Sequence, residues 1–99
     1  MTAKFSPGAR EDLSNIWLRI AQDKDPETAD RVYSEIMANV ARLCRTPEIG
    51  HRRADLTERD VLFWRIFNYL IVYRRSFESL DVVRVLHGAR DAKNILDQE

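Results

Sequence analysis

A single cysteine, Cys44, stands among 99 residues, so no internal disulfide braces this chain. A chain built without disulfides suits a reducing compartment, and a cytoplasmic location is the expectation. No stretch approaches the roughly 20 consecutive apolar residues of a membrane-spanning helix. The opening residues, Met1-Thr2-Ala3-Lys4-Phe5, lack the apolar centre of a secretory leader. Three glycines and three prolines leave no flexible linker and no low-complexity segment. No internal repeat and no enzyme motif is present, and neither a metal nor a cofactor is expected.

Net charge is absent too: 16 basic and 16 acidic residues cancel. A domain whose main work is gripping nucleic-acid phosphates usually carries a basic excess, so a general nucleic-acid binder is disfavoured. The charges are unevenly placed, however. Residues 42–75 hold eight basic and four acidic groups, while the segments on either side are each acidic by two. Thirteen of the 16 cations are arginine, whose planar fork suits bidentate contacts with carboxylate or phosphate. A modestly basic middle points to an acidic partner surface.

What the chain does have is clear periodicity. Residues 2–5 read as a short edge strand. Ser6-Pro7 is a helix start, a side-chain cap followed by a proline at the first helical position. Ala9, Leu13, Ile16, Trp17 and Ile20 then recur at helical spacing to about Gln22. Asp25-Pro26-Glu27 repeats the signal, with an acidic first turn that the helix dipole favours. Ala29, Val32, Tyr33, Ile36, Val40 and Leu43 form the apolar face of this second helix, which Pro47 bounds. The short connection predicts an antiparallel helical hairpin.

Residues 47–60 read as an irregular, exposed connection. The chain then turns β-branched and aromatic, with strands predicted over 61–67, 69–75 and 80–86. Asn68 marks a tight turn, and 76–79 separates the last two strands, giving an antiparallel meander. In the middle strand Tyr69, Ile71 and Tyr73 share one face, and Leu70, Val72 and Arg74 the other. Both faces are fairly apolar, so the sheet is expected to be covered on one side by the hairpin and partly on the other. A final short helix runs from Ala89 to about Asp97. The expected fold is α+β in the order β-α-α-β-β-β-α, a single domain over 1–99, its antiparallel sheet packed on one face by the helical hairpin.

The stretch Val83-Arg84-Val85-Leu86-His87-Gly88-Ala89-Arg90-Asp91 is the most informative. Together with Tyr69-Leu70-Ile71-Val72-Tyr73-Arg74, it resembles the end of a ParE-type toxin of the RelE/ParE toxin–antitoxin group. Ala9-Arg10-Glu11-Asp12-Leu13 resembles the opening helix of that family. Pro47-Glu48-Ile49-Gly50-His51-Arg52-Arg53 with Leu56 resembles its Pro-x-x-Gly-x-x-Arg segment, and Arg65 falls in its central hairpin. Phe63-Trp64 and the Asn68 turn depart from the pattern. Trp64 is expected to pack rather than to serve as a stacking platform.

The resemblance implies the toxin of a type II, plasmid-stabilising toxin–antitoxin system, which inhibits DNA gyrase without covalent chemistry. It also implies a ParD-like antitoxin partner in a hetero-oligomer. The RelE-like alternative is a ribosome-dependent mRNA endonuclease, for which Arg65, Arg84 and His87 are the only set available on the sheet and its end. No catalytic residue is favoured otherwise. Candidate target contacts are Arg65, Tyr73, Arg84, His87 and Arg90. Trp17, Tyr33 and Met37 are expected to offer an apolar antitoxin groove, with Arg42, Arg45, Arg52 and Arg53 meeting acidic groups. A purely structural reading stands beside these: Arg84 pairing with Asp81, Asp91 or a glutamate, and Gly88 supplying a backbone conformation that other residues resist.

Overall fold

The computed structural model describes residues 1–88 and 92–98. Strand β1 (Thr2–Phe5) leads into helices α1 (Pro7–Asp23) and α2 (Pro26–Arg45). A single 3₁₀ turn, Pro47–Ile49, and a connecting loop precede β2 (Leu62–Ile66), β3 (Tyr69–Arg75) and β4 (Ser79–His87). A short helix, α3 (Ala92–Asp97), follows. Ala89, Arg90 and Asp91 lie outside the described residues, as does the expected start of the last helix at Ala89.

Both long helices begin where their caps dictate. The Ser6 hydroxyl accepts from the Ala9 amide at 3.0 Å, and the Asp25 carboxylate accepts from the Thr28 amide at 2.7 Å. Proline occupies the first helical turn in each case. The hydrogen bond from the Thr28 amide holds the Asp25 carboxyl below the usual aspartate range. Ser6 also donates to the Val83 carbonyl at 2.5 Å, tying the start of α1 to β4.

The sheet order is β1-β4-β3-β2. β2, β3 and β4 form the expected antiparallel meander, but β1 pairs parallel to β4, with Thr2 opposite Ser79 and Phe5 opposite Val82. The sheet is therefore mixed rather than wholly antiparallel. The α1–α2 excursion and the long loop bring the chain back so that its last strand runs beside its first.

The alternation in β3 sorts two cores. Ile71 and Tyr73 face the hairpin and pack with Leu13, Ile36, Val40 and Leu43. Leu70 and Val72 face the other way, against Phe63, Val83, Leu86, Leu56 and, from α3, Ala92 and Leu96. A register shift opposite Val72 and Tyr73 leaves Val83 as an extra residue in β4, a bulge that bends the strand.

Tyr73, expected at a target-facing surface, is a fully buried core residue. Its hydroxyl donates to the Pro47 carbonyl at 2.6 Å and accepts from the Gly50 amide at 2.9 Å. It thereby pins the loop after α2 to the sheet. Burial pushes this hydroxyl above the ordinary tyrosine range, and the Gly50 hydrogen bond partly opposes the shift. Gly50 is required sterically, because a Cβ there would overlap the hydroxyl and lie 2.8 Å from the ring.

Candidate functional site: an apolar groove and a basic pocket

Two concavities hold half of the residues singled out by sequence. The first lies along the outer side of the helical hairpin. Its volume is about 740 Å³, and Phe5, Leu13, Trp17, Leu18, Tyr33 and Met37 line it. The Trp17 indole N–H donates to Asp30 at 2.8 Å, which fixes the ring along the groove wall. Leu18 and Tyr33 are 51% and 40% exposed, a large apolar investment for solvent-facing helix positions. Trp17, Tyr33 and Met37 thus come together here. Phe5 and Leu18 complete the wall, although sequence reasoning did not single them out. Leu18 falls just outside the apolar helical stripe, which is why periodicity passed over it.

None of Arg42, Arg45, Arg52 and Arg53 lines this groove. Arg42 lies over the Trp64 ring, 5.3 Å from its centroid, in cation–π contact. Arg45 is exposed in the last turn of α2, where the dipole favours a cation. Arg52 pairs with Asp60. Arg53 makes a two-pronged contact with Asp55 at 3.0 and 2.8 Å, and this holds the Asp55 carboxyl below its usual range.

The second concavity, about 390 Å³, opens at the end of the sheet beside the β2–β3 turn. His51, Arg53, Arg65, Asn68, Tyr69 and His87 contribute to its wall, and among the described residues no carboxylate does. The His87 ring tilts against Tyr69 at 5.2 Å. Burial raises the Tyr69 hydroxyl above the ordinary tyrosine range. Gly88 has φ 75° and forms part of the same wall. Its amide donates to the Asn68 carbonyl at 2.7 Å. His51, absent from the sequence-based candidates, arrives through an isolated bridge to Phe63. Its position in an irregular loop concealed it.

Arg84 is directed elsewhere. Its guanidinium Nε and a terminal nitrogen donate to the two oxygens of Asp12 at 2.6 and 2.7 Å. The same carboxylate accepts from the Val85 amide at 2.9 Å. β1 pairs with β4 only as far as Val82. Asp12, together with Ser6, therefore satisfies the edge of β4 that β1 leaves open. Arg84 pairs with Asp12, a carboxylate not among the partners expected, and Asp91 lies outside the described residues. Asp81 instead pairs with Arg74 at 3.7 Å.

Arg65, Arg84 and His87 do not line one cavity: His87 shares one pocket with Arg65 and a different one with Arg84. Arg90 lies outside the described residues. Among those described, no group of three His, Cys, Asp or Glu side chains is arranged to hold a metal. No helix among them is long and apolar enough to cross a membrane.

No curated protein is significantly similar to this chain. Among solved structures, the chromosomal ParDE TA system from P. aeruginosa matches with a TM-score of 0.74 at 20% identity. That match covers 89% of this chain and 96% of the other. At this identity the likeness establishes the fold. The family model for the ParE toxin of type II toxin–antitoxin systems, parDE, matches residues 3–92, and the chain belongs to that family.

Proposed function

We propose that this toxin works by docking: a cognate ParD-like antitoxin occupies the hairpin groove, and free toxin inhibits DNA gyrase without breaking a covalent bond. The observation that carries the reading is the commitment of Arg84 to Asp12. Phosphodiester cleavage needs a proton-transfer group and cations converging on one phosphate. Here one of the two arginines in the only set available to the nuclease alternative serves the fold.

The groove suits the apolar face of an amphipathic helix, the usual way a partly disordered antitoxin segment folds onto its toxin. Acidic residues flanking that helix would meet Arg42, Arg45, Arg52 and Arg53 along the end of α2 and the loop beyond. Arg65 and His87, exposed at the sheet end, are the proposed target contacts, while Tyr73 and Arg84 support them from within. The toxin–antitoxin pair forms a hetero-oligomer.

Induction of the toxin in cells tests the reading. A DNA-damage response with filamentation and intact mRNA supports it. Rapid arrest of translation with cleaved transcripts contradicts it. Reversing both Arg52 and Arg53 to glutamate should weaken antitoxin binding in calorimetry, and unchanged affinity would remove those arginines from the interface.

A further inference from the structure

The pocket at the sheet end is one part of a longer strip. Arg42 lies over Trp64, and the His51 ring stacks beside Trp64 at 6.4 Å, with planes 20° apart. Asn39 accepts from the Trp64 indole N–H at 2.9 Å and locks this spine in place. His51 in turn lines the pocket with Arg65 and His87. Cations and rings therefore follow one another from the end of α2 to the end of β4.

At the far end stands Phe67. Its φ of 55° is the only positive value among described non-glycine residues, and the residue is 54% exposed. Left-handed backbone at a bulky residue costs about 1–2 kcal/mol, and leaving a phenylalanine in water forgoes its burial. The turn thus breaks two local rules with no return in packing, the pattern expected at a site kept for function. The Phe67 carbonyl accepts from Arg65 Nε at 3.0 Å. The strained turn thereby aims the rest of the Arg65 guanidinium, which forms no salt bridge to a carboxylate among the described residues.

We propose that this strip binds a single-stranded nucleic-acid segment, with Arg42 and Arg65 meeting phosphates and the Phe67 ring and the Tyr69–His87 pair receiving bases. Alternating cations and exposed rings are the pattern that single strands recognise, because every base has a π-face and every linkage a phosphate. An acidic peptide would use the arginines but not the strained, solvent-facing ring. Duplex DNA keeps its bases stacked internally and would leave that ring unused. Asp55, which pairs with the pocket-lining Arg53, is already neutralised by it. Only binding is inferred, and it holds whether or not gyrase is the target. The neutral total charge makes the interaction modest and local, with a shallow salt dependence.

Fluorescence anisotropy with labelled oligo(dT) and oligo(rU), on the purified full chain, provides the test. Saturable binding at low salt that weakens as salt rises is expected for at least one of the two, and their ratio tells which sugar is preferred. Arg65→Glu should lower affinity at least tenfold. Phe67→Gly should also lower it several-fold while raising Tm, because glycine relieves the turn. Arg31→Glu, near the start of α2, should leave affinity unchanged. Binding of neither oligonucleotide at low salt would overturn the proposal. So would affinity that Arg65→Glu and Phe67→Gly leave intact, or competition by inorganic phosphate at equal concentration.

Discussion

Replacing Asp12 by alanine removes the acceptor of three hydrogen bonds, two from Arg84 and one from the Val85 amide. Truncating one partner of a fully buried pair costs about 3–5 kcal/mol. Here the Arg84 and Asp12 side chains keep 20% and 13% of their surface. Water therefore recovers part of the loss, and about 2–3 kcal/mol is expected for Asp12→Ala. For a domain of this size that lowers Tm by on the order of 10 °C. Asp12→Asn retains an acceptor for Val85 and should cost about 1–2 kcal/mol. Urea unfolding should show a shifted midpoint at constant m-value.

The paired replacement Asp12→Leu with Arg84→Met substitutes apolar groups of similar length for both partners and should recover most of the stability. The coupling energy of the cycle should reach about 1.5 kcal/mol. Additive single costs, or a loss below about 0.5 kcal/mol for Asp12→Ala, would refute the reasoning. The same double variant separates structure from chemistry. If Arg84 serves the fold, toxicity returns with stability; if it acts on a phosphate, toxicity stays lost.

Four further outcomes are expected. Gly50→Ala forces Tyr73 out of place and should destabilise by about 2 kcal/mol or more, whereas Tyr73→Phe loses two hydrogen bonds and should cost about 1–3 kcal/mol by thermal unfolding. Leu18→Asp with Tyr33→Asp changes exposed groove residues, so Tm should hold while antitoxin affinity by calorimetry falls at least tenfold; unchanged affinity would place the antitoxin elsewhere. The lowered pKa of Asp25 means its cap contributes fully above the unfolded value of 3.8 and fades as pH falls through the lower folded value. Asp25→Ala should therefore lower Tm at pH 7, and the difference from wild type should shrink below about pH 4.

Much of the architecture was legible because it is written locally. Ser6-Pro7 and Asp25-Pro26 announce helix starts within three residues. The alternation of Leu70, Ile71, Val72 and Tyr73 assigns each to its own core. The parallel placement of β1 is different, since a four-residue strand carries no record of which neighbour it joins or in which direction. Asp12 lies 72 residues from Arg84 and sits beside Glu11 in an ordinary polar helix face. No spacing rule distinguishes those two carboxylates. Tyr73 has the alternation of a core residue, yet an aromatic hydroxyl in a family-like hairpin invited a surface role; only the position of Pro47 and Gly50 decides the matter. At the candidate site Trp17, Tyr33 and Met37 were readable from one helical hairpin. The pocket at the sheet end was readable only in part, because His51 reaches it from a loop without periodicity.

The most direct measurement is a DNA cleavage assay with purified gyrase, supercoiled plasmid and the purified chain, with and without its antitoxin. Toxin-dependent accumulation of cleaved DNA, abolished by antitoxin, is the expected result, together with intact transcripts when the same preparation is added to translating ribosomes. Unchanged gyrase activity alongside cleaved ribosomal A-site mRNA would contradict it.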